Sequence, residues 1–223
     1  MDSIFRGDVI SARGRRNAWI DALFVDHAIF RLFWTNFGVV VPGRLYRSNH
    51  PTPRWLAVAV RRFGIRTVVN LRGPSGNGAD ALSREAAMRL GLRQIDVPLR
   101  SSHAPPRDLV LELIDALTCA EAPVLVHCKS GADRAGLAAG VFLLLNGGSA
   151  TDALEQLSWR YGHLKTSRAG ILDAFFRRYR DHAEGRMAFA EWVRLEYDPA
   201  HLGDNGPSSR LARILNDHIL LRE

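Results

Sequence analysis

Short β-branched runs alternate with longer stretches of helical spacing over residues 43–127. Four runs read as strands: Gly43–Ser48 (GRLYRS), Ile65–Leu71 (IRTVVNL), Leu92–Leu99 (LRQIDVPL) and Pro123–His127 (PVLVH). The last is apolar almost throughout, the pattern of a strand covered on both faces of a parallel sheet. Helical spacing fills the gaps: residues 54–63 stopped by Gly64, 80–90 stopped by Gly91, and a helix opened by Pro105-Pro106 that reaches Thr118. Such alternation predicts an α/β fold, a central mostly parallel sheet of four to five strands flanked by helices. Beyond residue 134 the pattern is helical, over 134–146, 150–161, 169–183, 186–196 and 209–221, with GDNGPSS (203–209) isolating the last stretch.

Ahead of the strands, residues 18–37 carry Trp19, Leu23, Ile29, Phe30, Phe33 and Trp34 at helical spacing. The plainer reading is a helix packed on the main domain. The sharper one is an interfacial helix making peripheral membrane contact, with Arg13, Arg15 and Arg16 just before it. Asp21, Asp26, His27, Arg31 and Asn36 exclude a spanning helix there. Arg15-Arg16 is followed by a segment too charged for an export signal, so a cytoplasmic protein is expected, membrane-associated if the sharper reading holds. The chain divides into an N-terminal helical extension (1–41), a main domain (42–183) and a C-terminal helical extension (184–223).

Composition narrows the classes. With 47% hydrophobic and 24% charged residues among 223, the chain is neither disordered nor fibrous. Two cysteines, Cys119 and Cys128, make no disulfide framework, and a reducing compartment follows. Thirty basic residues against 23 acidic give a net charge of +7, which favours an anionic partner. The basic residues are scattered and no zinc-finger or RNA-binding motif is present, so nucleic acid is not expected. An anionic membrane surface and a phosphorylated substrate both remain open on charge alone.

Val124–Gly136 (VLVHCKSGADRAG) supplies the chemistry. An apolar strand ends at His127, Cys128 follows, a tight turn contains Gly131, and a helix starts at Arg134. A loop closing onto a helix start gathers backbone N–H groups and the positive end of the helix dipole, which makes an anion cradle. Arg134, six positions after the cysteine, can return its guanidinium to grip two phosphate oxygens. The same field favours the thiolate of Cys128 over the thiol. The plainer reading, a buried structural thiol, leaves the returning arginine without a purpose. Cys119, between Thr118 and Ala120 at a helix end, reads as packing.

His-Cys-x5-Arg resembles the signature of the cysteine-dependent protein tyrosine phosphatase superfamily, and its surroundings resemble the dual-specificity-like bacterial branch. Arg44–Ser48, Gly64–Arg72 and Val97–Leu99 are similar to that branch's early strands, so the resemblance spans residues 43–180. It implies that Cys128 attacks phosphorus to form a phosphocysteine. Arg134 binds the phosphoryl oxygens, the backbone of Lys129, Ser130, Gly131, Ala132, Asp133 and Arg134 completes the cradle, and His127 orients the loop. It implies no metal and no cofactor, since Arg134 and the amides supply the charge.

The proton donor is less direct. The superfamily takes it from an aspartate on a mobile loop, but Val97–Pro105 (VPLRSSHAP) holds no carboxylate. Asp133, inside the cradle, is similar in placement to the loop aspartate of myotubularin-type and Sac-type lipid phosphatases and ranks first. Asp96 and His103 are the alternatives, and a structural ion pair is the plainer fate of Asp133. Ala135 stands where the superfamily has Ser or Thr to assist hydrolysis of the intermediate. Lys129 adds charge at the mouth, and Arg47, Arg72, Lys165 and Arg168 are second-rank candidates for phosphate contact. The expected substrate is a phosphorylated protein, as for a tyrosine or dual-specificity phosphatase, or a phosphorylated lipid, phosphoinositide or glycolipid. A rhodanese-like sulfur transferase and a phospho-binding module without turnover are the competing classes.

Overall fold

A computed structural model describes residues 5–26 and 34–202. In chain order the elements are α1 (Ala12–Ile20), β1 (Gly38–Val41), β2 (Leu45–Ser48), α2 (Pro53–Phe63), β3 (Thr67–Asn70), α3 (Gly78–Arg89), β4 (Arg93–Asp96), α4 (Arg107–Cys119), β5 (Val124–His127), α5 (Asp133–Leu145), α6 (Ala150–Glu155), α7 (Ile171–His182) and α8 (Phe189–Leu195). The helix expected over 209–221 lies outside the described residues.

The strands form one sheet in the order β1-β2-β5-β3-β4, with β1 antiparallel to β2 and every other pairing parallel. The α/β expectation is met. The apolar run VLVH takes the centre because only a strand with no polar face can be covered on both sides. Its neighbours keep register with it: Ser48 and Asn70 both stand opposite His127. The carboxyl ends of β2, β5 and β3 therefore meet at one edge, where parallel α/β sheets bind ligands.

Successive side chains leave the sheet on opposite faces. Leu45, Val69, Val124 and Val126 join the core made with Leu113, Leu137, Val141, Phe175 and Phe176 from the later helices. Tyr46, Val68 and Leu125 face the other way, onto Leu56, Ala59 and Ala86 of α2 and α3. The C-terminal stretch belongs to the first of these cores. Phe189, Trp192, Val193 and Tyr197 are buried in it, and the Tyr197 hydroxyl donates to the Pro105 carbonyl at 2.7 Å.

The N-terminal segment departs from expectation in extent. Helix α1 starts at residue 12, where the Ser11 hydroxyl accepts the Gly14 N–H at 3.0 Å, and continues as a wider π-type turn over Asp21–Val25. Residues 34–37 are irregular and Gly38–Val41 is a strand, so the sheet begins inside the stretch read as extension. Ile29, Phe30 and Phe33 lie outside the described residues. Residues 12–26 follow the packed-helix reading: Ala18 and Ala22 pack on Ala79 and Leu82 of α3. The approach is close enough that a Cβ on Gly78 would lie 2.2 Å from the Ala18 carbonyl oxygen. Both aspartates of this segment point inward. The Asp21 carboxylate accepts the Gly78 N–H at 2.7 Å, closing the start of α3, and Asp26 forms a two-pronged pair with Arg72 at 2.8 and 3.1 Å. Among the described residues no helix is long and apolar enough to cross a membrane.

Candidate active site

Cys128 follows the last residue of the central strand, and Asp133 opens α5 five positions later. Four successive carbonyls of the intervening loop are held from outside. The Lys129 oxygen accepts the His50 N–H at 3.2 Å, and the Ser130 oxygen accepts from Asn36 Nδ2 at 2.8 Å. The Gly131 and Ala132 oxygens both accept from one nitrogen of Arg47 at 2.9 Å. In a trans peptide the N–H points opposite to the carbonyl. Anchoring these oxygens therefore turns the N–H groups of Ser130, Gly131, Ala132 and Asp133 toward the inside of the loop. The Gly131 N–H reaches Cys128 Sγ at 3.2 Å, and that of Ala132 meets Ser130 Oγ at 3.4 Å. This arrangement is an anion nest with a sulfur at its floor.

Gly131 is required twice over. Its φ is +79°, and a Cβ there would lie 2.7 Å from the Asn49 nitrogen.

Arg47 is fully buried and holds the loop from behind, which corrects its reading as a phosphate contact. Its second terminal nitrogen donates to the Gln156 carbonyl at 2.7 Å, and its guanidinium carbon stacks 3.8 Å from the centre of the Tyr161 ring. The helix read over 150–161 stops at Glu155, and the carbonyl of the next residue, Gln156, is the one that Arg47 holds. Burial pushes the Arg47 pKa down to about 10, against the pull of Tyr161, Cys128 and Asp133, so the group stays charged at neutral pH. Replacing it by methionine leaves three buried carbonyls without their donor. We expect Arg47→Met to lower stability by roughly 3–5 kcal/mol in urea unfolding.

Arg134 sits in the first turn of α5, 7% exposed, with one terminal nitrogen 3.4 Å from the Leu99 carbonyl. The loop that follows β4 thus borders the arginine. His127 is buried, with its ring edge-on to that of His50 at 4.8 Å. Lys129 and Ser130 are half-exposed at the mouth, and Ala135 is fully buried, so no hydroxyl follows the arginine. Arg72 is turned to Asp26, a second correction, whereas Lys165 and Arg168 are exposed on the loop before α7. Cys119 is also exposed rather than packed. Among the described residues no cluster of His, Cys, Asp or Glu could hold a metal ion.

The three donor candidates fare differently. Asp133 is buried, and its Oδ1 lies 2.7 Å from His163 Nδ1. Across the ring, His163 Nε2 lies 2.6 Å from Asp173 Oδ2. The plainer fate foreseen for Asp133, an ion pair, is what the geometry gives, with histidine in place of arginine. Asp96, at the end of β4, accepts from both terminal nitrogens of Arg84 at 2.7 and 3.0 Å and from Asn70 at 2.9 Å. His103 is exposed on the loop after β4, its Nδ1 2.9 Å from Ser102 Oγ. Sequence reasoning missed His163 and Asp173. The signal available was a lone histidine in the polar loop Tyr161–Arg168, which was read for its basic residues.

A parallel sheet whose central strand runs into a cysteine, an inward-turned amide loop and a returning arginine defines a cysteine-dependent phosphatase of the protein-tyrosine-phosphatase type. The chain belongs to the PTP-SAK family, described as Swiss Army Knife protein, DSP-PTPase phosphatase domain, whose model matches residues 35–179. Among solved structures it is similar to TpbA of P. aeruginosa, with 25% identity and a TM-score of 0.55 over 72% of this chain and 89% of that one. It shares its fold with the core catalytic domain of the PP-IP phosphatase SIW14 of S. cerevisiae, at 22% identity and a TM-score of 0.53 over 69% of this chain and 90% of that one. No curated protein matches in sequence. The dual-specificity-like branch named by the resemblance is the right one, and neither sulfur transfer nor a purely binding role is needed to explain the fold.

Proposed function

We propose that the chain hydrolyses phosphotyrosine in proteins, with Cys128 as nucleophile and Arg134 with the loop amides as the phosphoryl-binding group. The Cys128 thiolate attacks phosphorus, the P–O bond to the leaving group breaks, and that oxygen takes a proton. Water then attacks the phosphocysteine, the P–S bond breaks, and phosphate and the thiolate are released. Arg134 and the inward N–H groups carry the charge that builds on the equatorial oxygens. The single observation that carries this reading is the row of four loop carbonyls held outward, which aims the amides at the site above the sulfur.

In this reading His103 is the proton donor, ahead of Asp133 and Asp96, which the sequence ranks first and second. Asp133 and Asp96 are engaged as acceptors, by His163 and by Arg84, while His103 stands exposed on the loop that touches Arg134 through Leu99. An imidazole in that place can give a proton to the leaving oxygen. A phenol, with a pKa of about 10, is a far stronger acid than an aliphatic alcohol, so a phenolate departs with less help from a proton donor than an alkoxide does. That favours phosphotyrosine over phosphoserine. A phosphorylated lipid or inositol is the second reading, favoured by half-exposed Lys129 and the net charge of +7. SIW14, a PP-IP phosphatase, lends the same fold to such a substrate. Peripheral membrane contact through the N-terminal segment, where Ile10 and Phe24 are exposed, belongs to this second reading.

Phosphate release from phosphotyrosine peptides, phosphoserine peptides, phosphoinositides and phosphorylated glycolipids separates the readings. We expect the tyrosine peptides to lead; lipid turnover above peptide turnover contradicts this. In a series of aryl phosphates, His103→Gln is expected to slow the poorest leaving groups by about a hundredfold and the best hardly at all. If Asp133→Asn gives that slope and His103→Gln does not, the donor is Asp133.

A further inference from the structure

His163 is placed between two carboxylates with both ring nitrogens in use. Nδ1 lies 2.7 Å from Asp133 Oδ1 and Nε2 lies 2.6 Å from Asp173 Oδ2, and all three side chains are buried, at 4% exposure or less. A neutral imidazole has one N–H. In that form one of its nitrogens would present a lone pair to a carboxylate oxygen, a repulsion that the low-dielectric interior does not screen. Only the doubly protonated ring donates to both. One partner, Asp133, is the residue directly before Arg134 and the first of α5, while the other, Asp173, belongs to α7. The contact therefore ties the phosphate-binding turn to a helix of the core.

We propose that His163 acts as a positioning residue in its imidazolium form, pinning Asp133 so that Arg134 and the start of α5 are held ready for the phosphoryl group. The inference deepens the phosphatase reading and rests on it. Among the described residues, these charged and titratable groups face the ring or its partners. Asp133 comes from α5; Asp173 comes from α7, with Arg177 one turn on, 3.8 Å from the second Asp173 oxygen; Arg47 comes from β2 within electrostatic reach of Asp133; Tyr161 lies on the same loop, stacked on Arg47. Burial alone would push the imidazole down, but the hydrogen bonds and charges of Asp133 and Asp173 outweigh it and raise its pKa above the ordinary value. A raised pKa means that the pinned state is fully present at acid and neutral pH and is lost as pH rises through the folded value.

Two measurements test this. Long-range proton–nitrogen NMR of the wild-type protein is expected to show both nitrogens of His163 protonated at pH 7.5, about one unit above an ordinary histidine pKa; a ring carrying a single proton overturns the proposal. Tungstate, a dianion across the range, is then titrated by calorimetry in a Cys128→Ser background, which keeps the sulfur out of the measurement. Affinity is expected to fall about tenfold through the titration of His163, the worth of one charge-assisted hydrogen bond. Asp173→Asn is the decisive variant. Its amide can donate to Nε2 of a neutral ring whose Nδ1–H still holds Asp133, so the alkaline loss should flatten. An unchanged alkaline limb in Asp173→Asn contradicts the proposal. Both readouts are independent of turnover: a protein that binds tungstate in this pH-dependent way but releases no phosphate from any ester refutes the hydrolase reading and leaves His163 in its role.

Discussion

Cys128→Ser is expected to abolish phosphate release, by roughly 10⁴-fold or more, while the protein still folds and still binds phosphoesters. The sulfur accepts the Gly131 N–H at 3.2 Å and is 1% exposed, and a serine oxygen fits the same floor with little change in volume. What disappears in the proposed reaction is the nucleophile, because a serine hydroxyl with no adjacent base is a far weaker nucleophile than a cysteine sulfur. The loop amides depend on Arg47, Asn36 and His50 for their orientation and not on the sulfur, so the anion site survives. Single-turnover assays with an aryl phosphate and calorimetric titration with a phosphotyrosine peptide read the two halves separately.

Arg134→Ala is expected to lose both. A guanidinium fork contributes two charge-assisted hydrogen bonds to a phosphoryl group and neutralises the charge that spreads over its oxygens in the transition state. Removing it should cost roughly 10³-fold in kcat and weaken binding as well, so that kcat/KM falls further than kcat. Arg134→Lys keeps the charge but not the fork, and we expect it to recover binding better than turnover. The side chain is 7% exposed at the start of α5, with one terminal nitrogen 3.4 Å from the Leu99 carbonyl. The loss is expected chiefly in binding and catalysis, whereas that of Arg47→Met is expected chiefly in the urea midpoint. That contrast between two arginines beside one loop would separate the group proposed to bind phosphate from the group that shapes the cradle.

What could be read from the sequence was local. The strands over 65–71 and 123–127 stood out as β-branched runs, and the cysteine loop stood out because strand, turn and helix start lie within thirteen residues, Val124–Gly136. The first strand did not. Gly38–Val41 is four residues long and follows a stripe of aromatic residues at helical spacing, so periodicity alone runs the expected helix on to residue 37, where residues 34–37 are irregular. Side-chain partners were harder still. Arg47 ends a strand beside a turn, a position that suits a ligand contact, and nothing nearby in sequence announces that Gln156, Gly131 and Ala132 will surround it. The Asp133–His163 pair spans thirty residues, and Arg84–Asp96 needs α3 to lie back along β4. Pairings at that separation are set by the fold and leave no periodic trace. The three acid candidates could be named from the sequence; which of them were already committed to other partners could not.

Phosphoryl transfer at this site depends on the geometry above one sulfur. Crystals soaked in vanadate test it most directly. The expected result is vanadium bonded to Cys128 Sγ, its equatorial oxygens on the N–H groups of the Ser130–Arg134 loop and on the two terminal nitrogens of Arg134. An empty loop in protein that hydrolyses phosphoesters, or vanadate held at another place on the sheet edge, would contradict it.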